Sequence, residues 1–546
     1  MLAIRAMLAA ALACLAPPVA AQVVERHLPP APAAPAIRAA EAALPAETDD
    51  RAFGPRLTGI LLLGSDQAAG SVAGVRITGF TPPREAALVK ALTKLLGRPL
   101  SRKLIADAVA TVTRSYRAAD RPLVSVTTPE QDLTEGVLRL QVVEFLAGRL
   151  ATRAPNGAVA AAIARGIRFP PGERIDARRL RQDLNWLDHY PFRRTNPVFS
   201  PGADPGTSDL TLNVVPRRPW QVFAGIFSSD APTSGDVRVF GGGVAGDVLG
   251  PGSLVSAQAT ASGFDDPRYW SVAARLIEPL GPRHELSALV AHVRGRTALA
   301  PIATRADTTE AAVELRFALP PALLGDAHLG IEIGHQRVDA RFAGLPLYRN
   351  RATTVVAVAR YSVTMPITSG VLAIDVAVHA SPGGFVRANT ADRLFFGRPR
   401  GGSATYAYLT VDIAAERVLA GVLSWRGRMI VQASAAPLPG LDQIGLGGTA
   451  YVRGYTLDDG GYDRVVIVRN AFGPKAGRIA PYAFADWGHG RDEAARRTAT
   501  VESIGVGVGH TLGPLRIVAE AAFPLLAGPR TAAGHPRLLA RADMMF

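Results

Sequence analysis

At 546 residues the chain has room for about three domains. Its formal net charge of +14 points toward anionic lipid surfaces or acidic partners. Its one cysteine, Cys14, leaves no disulfide for a mature chain, and no later stretch has the 18 or more apolar residues of a spanning helix.

Residues 1–21 read as a secretory signal peptide. Arg5 supplies the positive region, "AMLAAALACLA" the short apolar core and Val19-Ala20-Ala21 the cleavage site, so the mature chain is expected to start at Gln22. Ala11-Leu12-Ala13 before Cys14 is a poor lipid-attachment signal. Export makes nucleic acid a poor partner and leaves two destinations: a soluble protein outside the cytoplasm, or a membrane β-barrel. Residues 22–56 are Ala/Pro-rich and read as a linker, in which "AIRAAEAAL" could form a short helix.

Residues 57–146 alternate in type. "LTGILLLG" at 57–64 is too short to span a membrane. "SVAGVRITGF" predicts a strand, and "TPPREAALVKALTKLLG" a helix opening at Thr81 and its two prolines and closing at Gly97. Ser101 caps a second helix. "PLVSVTT" and "GVLRLQVVE" give two strands, the second alternating Leu138, Leu140 and Val142 against Arg139 and Gln141. "PEQDLTEGVLRLQVVE" carries a Pro129-x-Gln131 turn ahead of a strand, which taken alone reads as an ordinary hairpin. Residues 147–217 repeat the β-α-α-β-β order: a strand near Arg149, a helix from Asn156, a second capped by Asp176 and ended by Pro191, and the strand "DLTLNVVP".

From 218 to 546 short alternating runs recur between Gly, Pro, Asp and Asn. In "GVLAIDVAVHAS", Leu372, Ile374, Val376 and Val378 oppose Ala373, Asp375, Ala377 and His379, the pattern of a lipid-facing barrel strand. At about 20 residues per strand and connection, the segment accommodates roughly 16 strands. The competing reading is a soluble β-sandwich or propeller. Gly241-x-Gly243-x-x-Gly246 matches a dinucleotide fingerprint, but Gly250, Pro251 and Gly252 break the helix it requires, so it reads as a barrel turn. No Walker loop, His-Glu-x-x-His or Gly-x-Ser-x-Gly occurs, and the ten histidines lack metal-ligand spacing. No enzyme, cofactor or metal is implied.

Two short motifs remain. Val452-Arg453-Gly454-Tyr455 is either a plain surface turn or the tip of a long loop that bonds something particular. In "PYAFADWGHG", strand period puts Tyr482, Phe484 and Asp486 on one side and Trp487 on the other. If Trp487 meets lipid, Asp486 faces the lumen, either simply hydrated or paired with a cation such as Arg453.

The whole mature chain resembles the TpsB family, the outer-membrane transporters of two-partner secretion. "PEQDLTEGVLRLQVVE" is similar to the Pro-x-Gln…Gly hairpin of the family's first polypeptide-transport-associated (POTRA) domain, with Pro129, Gln131 and Gly136 at its marked positions. "LPGLDQIGLGGTAYVRGY" resembles the segment leading to the Val-Arg-Gly-Tyr tip of the sixth extracellular loop. "FADWG", with Phe484, Asp486 and Gly488, resembles the barrel-wall strand that receives the loop arginine. The resemblance implies a transmembrane β-barrel of about 16 antiparallel strands (218–546) preceded by two small α/β POTRA domains (57–146 and 147–217) in the periplasm. It implies export of an unfolded exoprotein of TpsA type, caught by the POTRA domains and drawn out without nucleotide hydrolysis. Outer-membrane lipids, periplasmic chaperones and the barrel assembly machinery are further expected partners. Residues 57–219 carry 23 Lys and Arg against 14 acidic residues, a surplus that can attract the cargo. The alternative is a barrel insertase of the same superfamily, which usually carries more POTRA domains; a passive porin or a soluble binding protein are more distant readings. The family's N-terminal plug helix has only a poor counterpart in 22–56, and aromatics at 6% make a thin girdle.

Overall fold

The computed structural model describes residues 47–64, 72–262, 268–299, 302–320, 322–398, 400–475 and 477–546. The signal peptide, most of the linker and the short helix expected within it lie outside the described residues. By contacts the chain divides into two compact units, with the boundary between Arg217 and Arg218.

The first unit begins with β1 (Gly59–Leu63), β2 (Gly74–Thr78), α1 (Glu85–Thr93), α2 (Arg102–Arg117), β3 (Val124–Thr127) and β4 (Val137–Glu144). These strands form one sheet in the order β2-β1-β4-β3, with β1 parallel to both neighbours. The sheet's core joins Ile60, Leu62, Leu138, Leu140 and Val142 to Leu88, Leu92, Leu104, Val112 and Tyr116 of the helices. The central strand β1 is an addition to the expected order. Its sequence, GILLL, is buried at every position, so it carries no alternation to betray it. The first helix also starts later than expected, at Glu85. Thr81 does not cap it, and Arg84 before it takes a left-handed φ of 52°.

The repeat follows as β5 (Leu146–Arg153), α3 (Gly157–Gly166), α4 (Ala177–Asp188), β6 (Arg193–Pro201) and β7 (Thr207–Pro216), with sheet order β5-β7-β6. Ser101, Asn156 and Asp176 cap α2, α3 and α4, each accepting from backbone N–H groups of the first turn. One residue binds the two halves. Asp120, left-handed at φ 59°, takes Arg178 at 2.8 Å and Arg181 at 2.7 Å on its carboxylate, while its carbonyl accepts the Ala177 N–H at 2.9 Å.

The second unit is a closed antiparallel barrel. Its strands are β8 (Trp220–Ser228), β9 (Val237–Gly246), β10 (Leu254–Ala261), β11 (Tyr269–Gly281), β12 (His284–Leu299), β13 (Ile302–Ala318), β14 (Asp326–Phe342), β15 (Leu345–Ile367) and β16 (Gly370–Pro382). A four-residue helix, α5 (Ala391–Leu394), precedes β17 (Thr405–Leu419) and β18 (Leu423–Ser434). Two short strands, β19 (Ile444–Gly445) and β20 (Gly461–Tyr462), pair within the loop that leads to β21 (Arg464–Pro474). The wall closes through β22 (Ile479–Asp492), β23 (Arg497–Leu512), β24 (Leu515–Pro524) and β25 (Arg537–Met545), which pairs with β8. Sixteen strands line the closed ring. Closure pairs every ladder group and leaves no edge in the bilayer.

Alternation sets the two faces. Val290, Val313, Leu329, Ile331, Val378, Val506 and Leu538 are exposed on the outside, while polar and charged side chains such as Gln258, Thr308, Gln336 and Gln432 are buried inside. The glycines at 241, 243 and 246 do not form a turn as expected. They lie within β9, Gly241 and Gly243 paired with both β8 and β10 and Gly246 with β10, and the turn follows at 247–252. At the neighbouring Gly242 a Cβ would fall 2.7 Å from the Phe223 ring, so the glycine run makes room for an aromatic in the lumen.

Candidate functional site in the barrel lumen

The connection between β18 and β21 does not stand out in solvent. Val452, Tyr455 and Tyr462 are fully buried, packed with Leu446 of the same loop and with Ile430, Val465, Ile467 and Val501 of the wall. The loop lies inside the barrel, so each of its polar groups needs a partner there.

Arg453 finds its partners on the wall. Its Nε and Nη2 donate to the two carboxylate oxygens of Asp486, each at 2.7 Å, a bidentate fork. Its own backbone N–H adds a bond of 3.2 Å to the same carboxylate. Nη1 donates to Glu520 at 2.9 Å, and the guanidinium lies 3.6 Å over the Phe484 ring. Tyr482 donates to the same Glu520 oxygen at 2.8 Å. Arg469 stands 3.8 Å from Asp486 and donates to the Ala450 carbonyl at 2.9 Å. Two arginines thus face two carboxylates, a balanced set in a confined space.

The flanking positions fit the loop to the wall. Gly454 takes φ 93°, and a Cβ there would sit 3.2 Å from Ala522 and Pro524. At Gly488 a Cβ would lie 2.9 Å from Val452, so the bare glycine is the space the valine fills. The Tyr455 hydroxyl bridges β23 and the loop after β24: it lies 2.9 Å from the Glu502 carbonyl and 2.7 Å from that of Leu526, and it accepts from both backbone N–H groups.

Further ties hold the loop's rim. Asp230, after β8, accepts Thr449 N–H and Oγ1 at 2.9 and 2.7 Å. Asp458 accepts Thr233 at 2.7 Å. Asp459 accepts Arg530 N–H, Thr531 N–H and Thr531 Oγ1. Arg537, at the start of the last strand, donates to the Tyr455 carbonyl at 3.0 Å. Asp463 at the loop's base accepts from Leu438, Gln443 and Glu493.

The third motif lies in the first unit. Gln131 acts as a surrogate strand partner: its Nε2 donates to the Arg139 carbonyl at 2.9 Å and its Oε1 accepts the Arg139 N–H at 2.7 Å. A further bond to the Pro129 carbonyl at 3.2 Å closes the turn. Gly136 takes φ 72°, where a Cβ would come within 2.4 Å of the Arg56 carbonyl. The motif orders the approach to β4.

Of the residues singled out in the sequence, Arg453 and Asp486 meet directly, Phe484 stacks under the arginine, and Gly488 receives Val452. Tyr482, which strand period places on the same side as Asp486, belongs to the same network, as do Glu520 and Arg469, which carry no motif of their own. Strand parity, which turns Glu520 inward opposite Ala519 and Ala521, is the signal that could have found the first of these. Elsewhere in the lumen, Glu314, His328 and Ser362 form a hydrogen-bonded line of 2.9 and 2.8 Å. The line runs across three neighbouring strands of the wall, β13, β14 and β15. Among the described residues no group of His, Cys, Asp and Glu could hold a metal ion.

A family model described as haemolysin secretion/activation protein ShlB/FhaC/HecB matches residues 206–512. A ShlB-type POTRA domain model matches residues 71–144. No curated protein matches the chain. Among solved structures, CdiB from Escherichia coli aligns with a TM-score of 0.66 at 18% identity, covering 92% of each chain. CdiB from Acinetobacter baumannii aligns with a TM-score of 0.59 at 13% identity, covering 90% of each. BamA from Haemophilus ducreyi lacking POTRA domains 1–3 aligns with a TM-score of 0.52 at 11% identity, covering 87% of this chain and all of that one. At these identities the likeness is one of fold.

Proposed function

Since the chain belongs to the ShlB/FhaC/HecB family of haemolysin secretion/activation proteins, we propose a route by which it handles its cargo. It is an outer-membrane transporter of two-partner secretion, with POTRA domains on the periplasmic side and an exoprotein as partner. The insertase alternative rests on a more distant likeness to BamA.

The cargo, unfolded, docks as an added strand along β6. This strand pairs only with β7 in its sheet and exposes Val198 and Phe199. Main-chain bonds at an open edge bind an extended chain with little regard to sequence, and the apolar pair adds side-chain affinity. Pro197 and Pro201 remove two donors from the strand, which keeps β6 from pairing along its length with a second copy of itself. The basic surplus of residues 57–219, with Arg194 exposed on β6 itself, draws in acidic segments. The cargo then passes through the lumen, which requires the loop held by Arg453 and Asp486 to leave its seat. No nucleotide drives the step; folding of the cargo outside makes it one-way.

The open edge of β6 carries this reading. Its test is secretion by the full chain with Val198→Ser and Phe199→Ser together, scored as exoprotein in the medium per assembled barrel. A marked fall is expected, with the barrel still heat-modifiable on gels. Unchanged secretion would remove β6 from the route.

A further inference from the structure

Outside the barrel, at the end of the strands that carries the β18–β21 loop, the lipid-facing parity yields to arginine. The strands alternate in direction, so β12, β14 and β18 all finish at this end, and with the POTRA domains periplasmic it is the cell-surface end. One cross-strand row on the outer face runs Trp270, Arg294, Asp307, Arg337 and Arg351, in direct register over β11 to β15. The next row outward runs Arg296, Arg305, Asp339 and Arg349, and Arg341 pairs with Ala303 beyond it. These positions share parity with Val290, Val313 and Ile331, which are more than half exposed on the outer wall below them.

Seven arginines meet two aspartates on this face among the described residues. Each aspartate is already doubly bonded. Asp307 takes Arg294 and Arg305, the latter at 3.1 Å; Asp339 takes Arg337 at 2.9 Å and also Arg349. Each carboxylate neutralises one of its two partners, so with Arg296 left aside Arg294, Arg305, Arg337, Arg341, Arg349 and Arg351 keep a surplus of about four positive charges. The Arg349 and Arg305 side chains keep 62% and 45% of their surface open.

A patch of that charge on the bilayer-facing side, just past the apolar belt, sits at head-group depth. Lipid tails would penalise it, and bulk water gives no reason to order it in rows. Guanidinium forks match phosphate oxygens two at a time, and the aspartates hold the forks in fixed orientation. We propose that this face of β12–β15 is a binding site for the phosphate groups of a phosphorylated glycolipid in the outer leaflet. The arginines take the place of the divalent cations that otherwise bridge such phosphates, and they anchor the wall beside the loops at the cell surface.

The test uses the full chain in zwitterionic detergent, titrated with a bis-phosphorylated glycolipid, with its enzymatically dephosphorylated form, and with inorganic phosphate. The phosphorylated lipid should bind far more tightly than either control. Arg305→Ser, Arg337→Ser and Arg349→Ser together should weaken it by about a hundredfold, on the scale of surface arginines near anionic lipid. Heat-modifiability on gels checks that the barrel is intact. Should the triple variant not assemble, Arg349→Ser alone, at the most open position, should cost about fivefold. Equal binding of the dephosphorylated lipid, unchanged affinity in the variants, or inorganic phosphate binding as tightly as the lipid would each overturn the proposal, the last by making this a free-anion site.

Discussion

Arg453 and Asp486, 33 residues apart in sequence, are joined inside the barrel by two hydrogen bonds of 2.7 Å and are both almost fully removed from solvent. Removing one member of such a pair strands the other and costs about 3–5 kcal/mol locally. The network makes the two losses unequal. In Arg453→Ala, Asp486 keeps Arg469 nearby; in Asp486→Ala, Arg453 and Arg469 face each other with Glu520 alone to balance them. Both variants should assemble, both should secrete poorly, and Asp486→Ala should release the loop more completely. Arg453→Lys should rescue only in part, since a lysine has no fork. The double variant should fall well short of the sum. Exoprotein per barrel, with cysteine labelling of the loop, measures this; normal secretion by Arg453→Ala would leave the loop without a role.

Gly488 offers a test by shape rather than charge. A side chain there meets Val452 at 2.9 Å and Val501 at 3.2 Å from its first carbon. Gly488→Leu should therefore displace the loop tip at a cost of about 1–3 kcal/mol, while leaving Asp486 in place. Faster cleavage within 447–460 by added protease is the expected sign, and protection equal to wild type would contradict the packing described.

Gln131 replaces a missing strand neighbour for Arg139. Gln131→Ala leaves that N–H and carbonyl without protein partners, at about 1–3 kcal/mol if they stay shielded from water. The first unit should lose its protection from protease at a lower temperature, with the barrel's own transition unmoved. A melting profile identical to wild type would show that water serves equally well.

Much of this was legible beforehand, and the reasons differ by element. Barrel strands such as Gly370–Pro382 announce their two faces because lipid and lumen demand opposite chemistry at alternate positions. The caps at Ser101, Asn156 and Asp176 are local and need no tertiary knowledge. By contrast β1 was hidden because burial on both sides erases alternation, and Arg84 because a left-handed residue delays α1 past its prolines. The glycines of β9 misled because a run that suits a turn equally suits a strand crowded by Phe223. Glu520 and Arg469 escaped for a deeper reason: their meeting with Arg453 depends on the register of three strands and the path of a long loop, which no short window encodes.

Asp188 supplies a pH test in the first unit. Burial pushes its carboxyl up, against the Thr195 hydrogen bonds and the nearby Arg194 and Arg193 that pull it down. The unfolded residue titrates near about 3.9. Between that value and the raised folded one, the native state binds more protons than the unfolded chain. Stability from this group is then fully present below about pH 3.9 and declines as pH rises through the folded value. Relative to Asp188→Asn, wild type should lose thermal stability as pH rises above about 4, until the folded carboxyl has ionised. A gap between the two that does not change with pH would contradict the direction given.

The ties of the lumen loop also carry a history. Asp230 follows the first barrel strand and Arg537 opens the last, and both hold the same stretch, Thr449 to Tyr455. The last strand in turn meets the first in register from Phe223–Met545 to Phe227–Arg541, with Val222 and Phe546 bonded beyond them. A chain leaving the ribosome supplies Asp230 early and Arg537 near its end, so the docked loop cannot be complete until the final strand has arrived. Seating of Tyr455 therefore marks the moment at which the cylinder is finished. A chain ending before Arg537 should keep its loop open to labelling, however many of its other strands have paired.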